Sequence, residues 1–588
     1  MDGEENIKLL PGGIRNIEFS VQALQLLNGG RLKELQTGNT LSAIAVLEEN
    51  NLLTSNEARV LRNAYQFYRK IEHYLQLMND KQTHTLPSDG EMLNKISAYL
   101  SFADSKKFKA TVDENRKAVT KIYQSIMGKE IKIKEKGDIA GINFENKKKA
   151  LQDFKFLREG KGLLGKKDFD ERTISAFQNI EPAIADYLKN AINPDTALQN
   201  FVRIIKHSNL PYIWYKELTD EKYLKSLLAI CEYSQRSIDL FAEDKELIEL
   251  FLNRRVFEKL DIKTFPQYTL KRLMFTLSVQ FIVGLIDHDK VSDILSKYCR
   301  QKISSIFNES LEHKFPSLKY FTAALGSFGS SEMTFNSDID LVFVVSDRKA
   351  IPNAEKVFQG ILSEIRKSFP TTEVDCRLRP EGKGSILVWD INNYDFYIQK
   401  RLRIWELQAF TKISLIRGDK KLFNKFLKLI VARLVSEKEE TIRREIKEMR
   451  RKLYPVGLGG ALSMLNLKKT AGGIIDIEFI LQYLALTSED SFSKIAGNGV
   501  KVLKKLSDDR IGAADCKILV KNFSFLKRLD FLNQVMFNIT TSLLPGDKKK
   551  LSMLSHQMNF DNVKAFQVSL NGVIKSNKFL FQKYLVKN

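Results

Sequence analysis

The sequence predicts a mainly α-helical chain with one small α/β core embedded in it. Two observations lead there. Apolar residues recur at helical spacing through most of the 588 residues, and a single region breaks that rhythm with an unbroken apolar run, Leu341 to Val345, behind a small-residue turn. Such a run reads as a buried strand.

From Gly12 to about Gly128 the pattern is helical, clearest over 17–27, 41–47, 58–77 and 118–127, and residues 1–128 are expected to form a helical bundle. Residues 129–170 are rich in Lys and Gly, with Gly137, Gly141, Gly160, Gly162 and Gly165, and read as a linker. Gly160, Gly165 and Lys166 imitate the start of a phosphate-binding loop. Lys167 stands where Ser or Thr must meet a cation, and no apolar strand precedes it, so that reading is dropped. Residues 171–299 return to helices, for example 224–230 and 247–252. The α/β core is placed at 300–425, with strands near 321–325, 341–345, 373–378 and 386–388 and a helix at 354–368. A C-terminal helical bundle fills 426–588.

The length exceeds what one hydrophobic core supports. A net charge of +22 invites a nucleic-acid reading, but the Lys-rich patches 129–136, 147–149 and 548–550 lack the interleaved aromatics of a stacking platform. Solvated helix surface, or attraction to ATP or an acidic protein, explains them as well. No run approaches the ~18 apolar residues of a membrane span. The stretch 273–286 is short and broken by Thr276, Ser278 and Gln280, and the acidic Met1-Asp2-Gly3-Glu4-Glu5 is no signal segment, so a cytoplasmic protein is expected. Cys231, Cys299, Cys376 and Cys516 are far apart, and the six His show no ligand spacing.

Chemistry is expected around Gly326-Ser327 and Asp338-Ile339-Asp340. Strand alternation sends Asp338 and Asp340 to one side and Ile339 into the core. In Glu373-Val374-Asp375-Cys376-Arg377-Leu378-Arg379-Pro380, the same alternation places Asp375, Arg377 and Arg379 together. Carboxylates so grouped repel unless a hard cation neutralises them, and Mg²⁺ takes a few carboxylates with substrate phosphates. The expected reaction is metal-assisted nucleotidyl or phosphoryl transfer.

The chain also repeats itself. Lys8 to Phe19 matches Lys468 to Phe479, with Lys, Gly-Gly and Ile-Glu-Phe in step, and Leu61 to Pro87 resembles Leu519 to Pro545 at nearly the same offset. Duplication is implied, each unit being an α/β core followed by a helical bundle. The first unit is expected to hold only the bundle, because too few residues precede Lys8 for a strand bearing Asp-x-Asp.

The Gly-Ser turn, Asp-x-Asp and third Asp resemble the polymerase-beta-like nucleotidyltransferase superfamily. With Trp405-Glu406-Leu407-Gln408-Ala409, Glu448-Met449-Arg450 and the two Gly-Gly-Ile-x-x-Ile-Glu-Phe blocks, nearly the whole chain resembles the bifunctional glutamine synthetase adenylyltransferase/adenylyl-removing enzymes, N-terminally truncated. The resemblance implies AMP transfer from ATP to a tyrosine of glutamine synthetase. Asp338, Asp340 and Asp375 would hold Mg²⁺, Asp375 would also ease deprotonation of the tyrosine, and Gly326, Ser327, Arg377, Arg379 and Lys468 would hold phosphates. It further implies a PII-type nitrogen-signalling protein and glutamine as effectors, with the PII contact involving residues 174–255, and no adenylyl-removing activity in this polypeptide. Two other readings compete, an RNA-directed nucleotidyltransferase and a non-catalytic scaffold. The Trp-Glu and Gly-Gly-Ile blocks oppose the first, and the three intact carboxylates oppose the second. Ser327 stands where the family usually has Lys, and Lys412 and Ser414 stand where further basic residues are expected. Glu478 and Trp405 are expected to be structural, Trp405 packed on the core, and Glu406 to anchor an Arg.

Overall fold

The computed structural model describes residues 5–586 apart from 31, 80–84, 88–89, 128–140, 161–168, 209, 242–243, 313, 348, 350–353, 455–464 and 505–509. The chain divides into two compact units, Met1–Leu228 with Phe241–Glu258, and Ala229–Leu240 with Lys259–Asn588. Residues 300–425 and the C-terminal helices therefore share one unit, while the expected helical region 171–299 is divided between both.

The first unit is helical apart from a paired two-residue β1 (Glu5–Asn6) and β2 (Thr85–Leu86). The helix Ile14–Asn28 buries Ile14, Ile17 and Val21 on one stripe, which meets Leu61, Ala64, Tyr68, Ile71 and Leu75 of Ser55–Asn79 in one apolar cluster. Starts are set by side-chain caps: Asn39 accepts from Leu41 and Ser42 N–H to begin Thr40–Glu49, and Asn193 with Pro194 begins Pro194–His207. The expected linker is not structureless. Lys147–Glu159 is a helix capped by Asn146, burying Phe154, Phe156 and Leu157 and ending at Gly160 in the left-handed conformation. Gly160 is a helix stop rather than part of a loop. Gly137, Gly162, Gly165, Lys166 and Lys167 lie outside the described residues.

In the second unit the mixed sheet comprises β3 (Tyr320–Ala324), β4 (Ile339–Val345), β5 (Val374–Asp375), β6 (Val388–Asp390) and β7 (Ser414–Gly418). Its order is β5-β4-β3-β7. β3 is antiparallel to both neighbours, and β4 takes β5 and then β6 in parallel along one edge. The helix Ala354–Ser368 lays Phe358, Ile361 and Ile365 toward the core, with Phe358 packed on Phe343 of β4 at 5.7 Å. β7 escaped the sequence reading because none of its residues is fully buried. The segment expected as a strand over 373–378 pairs only at Val374–Asp375 before the chain turns away. No described helix is long and apolar enough to cross a membrane.

The duplication extends to individual hydrogen bonds. In the first copy Asn6 Oδ1 accepts from Lys8 and Leu9 N–H, Ile14 N–H donates to Ile7 O, and Gly12 N–H donates to Asn16 Oδ1. In the second, Asn466 Oδ1 accepts from Lys468 and Lys469, Ile474 donates to Leu467 O, and Gly472 donates to Asp476 Oδ2. Asn6 pairs with Thr85 as Asn466 pairs with Leu543. Gly12 and Gly472 both have positive φ, and a Cβ on either would lie 2.1 Å from a carbonyl oxygen of a crossing helix, Arg116 O or Ile574 O. Only glycine allows that approach.

Candidate active site

β3 delivers the chain to Gly326 at φ +56°, where a Cβ would stand 2.2 Å from Asp340 Oδ2. The one-turn helix Gly326–Gly329 follows, and Leu325 N–H donates to Asp340 O at 3.0 Å. Parallel pairing of β4 with β5 sets Ile339 beside Val374 and Asp340 beside Asp375. Asp338 lies one residue before β4 and is exposed, while Asp340 is half-buried. Turn, Asp-x-Asp and third Asp are thus brought together at one end of the sheet. Gly326→Ala should lower transfer at least about tenfold with little change in melting temperature, because the methyl must displace the Asp340 carboxylate and φ is unfavourable for Ala. Steady-state kinetics with a thermal melt checks this, and unchanged kinetics would separate the turn from the reaction.

Burial, with Asp375 and Asp338 beside it, pushes the Asp340 carboxyl up to about 6. Burial also raises Asp338, with Glu373 and Asp375 adding to it. Asp375 behaves oppositely. Burial would raise it, but Arg377 donates through Nε at 2.7 Å to Oδ2 and through its backbone N–H at 2.7 Å to Oδ1, and holds the carboxyl below its usual range. Among the described residues no three His, Cys, Asp or Glu side chains stand close enough to share one ion. Hard oxygen donors in mutual repulsion, with an exposed guanidinium on one of them, are a donor set suited to Mg²⁺.

The other expected residues fall differently. Lys468 lies close enough to counter the charge of Asp338. Ser327 is half-buried in the turn, its carbonyl accepting from Glu332 N–H. Arg379 does not present its guanidinium to phosphate: it donates to the carbonyl oxygens of Cys376, Lys383, Ser385 and Ile386 and ties the loop after β5. Strand alternation failed here because the strand ends at Asp375. A cleft of about 620 Å³ opens on this side, lined by Asp375, Arg377 and Arg379 together with Arg366 and Lys383.

Sequence reasoning missed what holds the turn. Glu332, buried, accepts from Ser330 Oγ and Val500 N–H, both at 2.8 Å, and its carbonyl accepts from buried Lys527 Nζ at 2.9 Å. Lys412 sits 2.6 Å from Glu478 and 3.8 Å from Glu332. Burial disfavours its charge, but Glu478 and Glu332 outweigh that and raise it, while the ammonium lowers Glu478 against that carboxyl's own burial. The C-terminal helices thus grip the segment that follows the Gly326–Gly329 turn. The only signal was the repeat, in which Lys527 occupies the place of Arg69. Glu406 accepts from Tyr397 Oη and Arg403 N–H rather than from an Arg side chain, and Trp405 is 41% exposed rather than packed on the core.

Residues 269–429 match the family model described as glutamate-ammonia ligase adenylyltransferase. Residues 1–127 and 440–585, the two bundles, match that of GlnD PII-uridylyltransferase. A bifunctional glutamine synthetase adenylyltransferase/adenylyl-removing enzyme of Mannheimia haemolytica is 27% identical over 84% of this chain. Proteins of the same name from Aromatoleum aromaticum and Acinetobacter baylyi are 27% and 28% identical over 84% and 82% of it. The chain is similar to these enzymes over most of its length. It spans 61% of the length of the first and 58% of the other two. The adenylyltransferase match contains Gly326, Asp338, Asp340 and Asp375, whereas Lys468 and Glu478 come from the second bundle.

Proposed function

We propose that this chain transfers AMP from ATP to a tyrosine hydroxyl of glutamine synthetase, with release of pyrophosphate. The observation that carries the reading is the juxtaposition of Asp340 and Asp375 on paired strands beneath the Gly326 turn, inside the segment that matches the adenylyltransferase family. Backbone N–H groups of the Gly326-Ser327 turn donate to the triphosphate oxygens, with Lys468 beside Asp338 supplying positive charge. With Asp375 freed from Arg377, to which both its oxygens are bonded here, Asp338, Asp340 and Asp375 would hold Mg²⁺, and the ion would supply neutralisation of phosphate charge. Arg377 leaves Asp375 for the departing pyrophosphate, restoring basicity to that carboxylate. The tyrosine oxygen bonds to the α-phosphorus as the bond to the β-phosphate oxygen breaks, and Asp375 takes the hydroxyl proton. Incubation with α-labelled ATP, Mg²⁺ and glutamine synthetase should place label on a synthetase tyrosine. Label incorporated into RNA instead would establish the RNA-directed alternative.

Residues 174–255 are the region through which we expect a PII-type protein, together with glutamine, to act on the rate, in the cytoplasm. A transfer rate unmoved by either effector removes that part of the reading.

The relatives' name includes adenylyl removal. Among the described residues a strand bearing Asp-x-Asp occurs once, at β4. The 588-residue polypeptide is therefore expected to release no ADP from adenylylated glutamine synthetase and orthophosphate. Pyrophosphate can strip AMP by simple reversal, and Asp340→Asn should abolish that too. Phosphate-dependent ADP release surviving Asp340→Asn would refute the assignment.

A further inference from the structure

The cleft beside Asp375 is a groove between one helix face and the outer edge of the sheet. Glu355, Gln359, Leu362 and Arg366 recur every three or four residues along the helix Ala354–Ser368, so a single stripe of it forms one wall. β5 ends the strand order on this side, and its Val374, with Cys376, Leu362 and Leu387, gives the groove a buried apolar floor. Between 355 and 366 the helix rises about 16 Å, the length of roughly five residues of extended chain. The charges around this floor are not equally free. Arg379 is held by four carbonyl oxygens, and Glu355 accepts from Leu387 and Val388 N–H. Arg377 pairs with Asp375 and, at 3.7 Å, with Glu373. Arg366 and Lys383 remain. Both are exposed, and among the described residues neither side chain has an ion pair or hydrogen bond. Arg366 stands close to Cys376, the residue after Asp375.

We propose that this groove is the acceptor subsite, taking an extended, acidic segment of the acceptor protein laid along β5 so that its tyrosine hydroxyl reaches Asp375 and its flanking carboxylates meet Arg366 and Lys383. The inference rests on the tyrosine transfer proposed above and specifies how the tyrosine enters. The two substrates do not compete for space, because β4 lies between them: Gly326 follows β3 on one side of it, and β5 lies on the other. An edge strand offers its backbone groups to an added chain whatever the side chains, and the two free cations then select for negative charge beside the tyrosine. Protein fits this groove better than RNA does, since among the described residues no aromatic side chain lines it for a base to stack on. A tyrosine inside a helix is a poor acceptor, because only extended chain can pair along a strand.

The test measures binding to the full polypeptide, without ATP, of a peptide of about ten residues whose central Tyr lies between Glu residues, and of the same peptide with Lys in their place. The acidic peptide is expected to bind, and a photocrosslinker at position 359 should link to it. The double variant Arg366→Glu, Lys383→Glu should weaken it at least about tenfold and bind the Lys peptide instead, a reversal that a merely structural role would not produce. With glutamine synthetase as acceptor, the double variant should raise KM for the synthetase at least about tenfold while KM for ATP stays within about twofold. Three results would overturn the proposal: no binding of the acidic peptide at about 1 mM, binding and KM unmoved by the double variant, or tighter binding of single-stranded RNA than of the peptide in this groove. Failure of the functional reading is seen separately. A wild-type chain that labels no synthetase tyrosine from α-labelled ATP, yet binds the acidic peptide through Arg366 and Lys383, would refute the tyrosine transfer and keep the groove as an acidic-peptide site.

Discussion

Asp340→Asn is expected to lower AMP transfer by at least about 10³-fold, because it removes a charged cation ligand while keeping the shape of the side chain. The same change should stabilise the cation-free protein at neutral pH. In the folded chain the Asp340 carboxyl stands at about 6, above the ordinary 3.8, because burial and the neighbouring Asp375 and Asp338 oppose its ionisation. A raised carboxylate pKa means the folded state binds the proton more tightly, so stability is lost as pH rises from about 4 through about 6. Above that window the penalty is on the order of 2–3 kcal/mol, and the Asn variant escapes it. Melting temperatures of the two proteins should therefore converge near pH 4 and separate by several degrees at pH 7.5. Added Mg²⁺ should close the gap by stabilising the wild type alone. Activity within tenfold of wild type, or identical melts across this range, would sink the assignment of Asp340 as a buried ligand.

The second large effect concerns folding. Arg450 and Asp476 are both about 1% exposed and form a buried ion pair through Arg450 Nε. The guanidinium also donates to the carbonyl oxygens of Lys469 and Thr470 at 2.9 and 3.0 Å, while Asp476 Oδ2 receives Gly472 N–H. One residue therefore ties the helix Glu439–Leu453 to the turn that begins Ile474–Leu486, the helix carrying Glu478. Arg450→Met leaves the Asp476 carboxyl buried without its partner and frees two carbonyls. Removing one member of such a pair destabilises by about 3–5 kcal/mol. Denaturant titration of the full chain should show that loss in the transition of the second unit, and Asp476→Asn combined with Arg450→Met should recover part of it. A single Arg450→Met variant within 1 kcal/mol of wild type would show that the pair is not what fixes this turn. The first bundle offers an internal control, since Asn16 fills the place of Asp476 and bonds to Gly12 N–H without bearing a charge.

Much of the fold was legible because it depends on local periodicity. Helical spacing located the helices, the helix Ala354–Ser368 fell where its apolar stripe placed it, and the unbroken run at 341–345 marked the central strand. The repeat was legible because the same turn chemistry, an Asn, a Gly-Gly and a Glu on the next helix, had to be kept twice. Asp338, Asp340 and Asp375 could be named together because alternation along a strand is a local rule. That rule failed once β5 stopped at Asp375: Arg379 was drawn by four carbonyl oxygens into a loop clip, and no property of a single segment reports where its pairing ends. The remainder was decided between segments far apart in the chain. Register between β4 and β5 put Asp340 beside Asp375, and Glu332, Lys412, Glu478 and Lys527 became one buried charge network. A glutamate or lysine in sequence reads as surface until tertiary packing removes water from it and supplies the opposite charge. The sequence by itself therefore determined which residues could do the chemistry, and the tertiary structure decided which of them are held in place and by what.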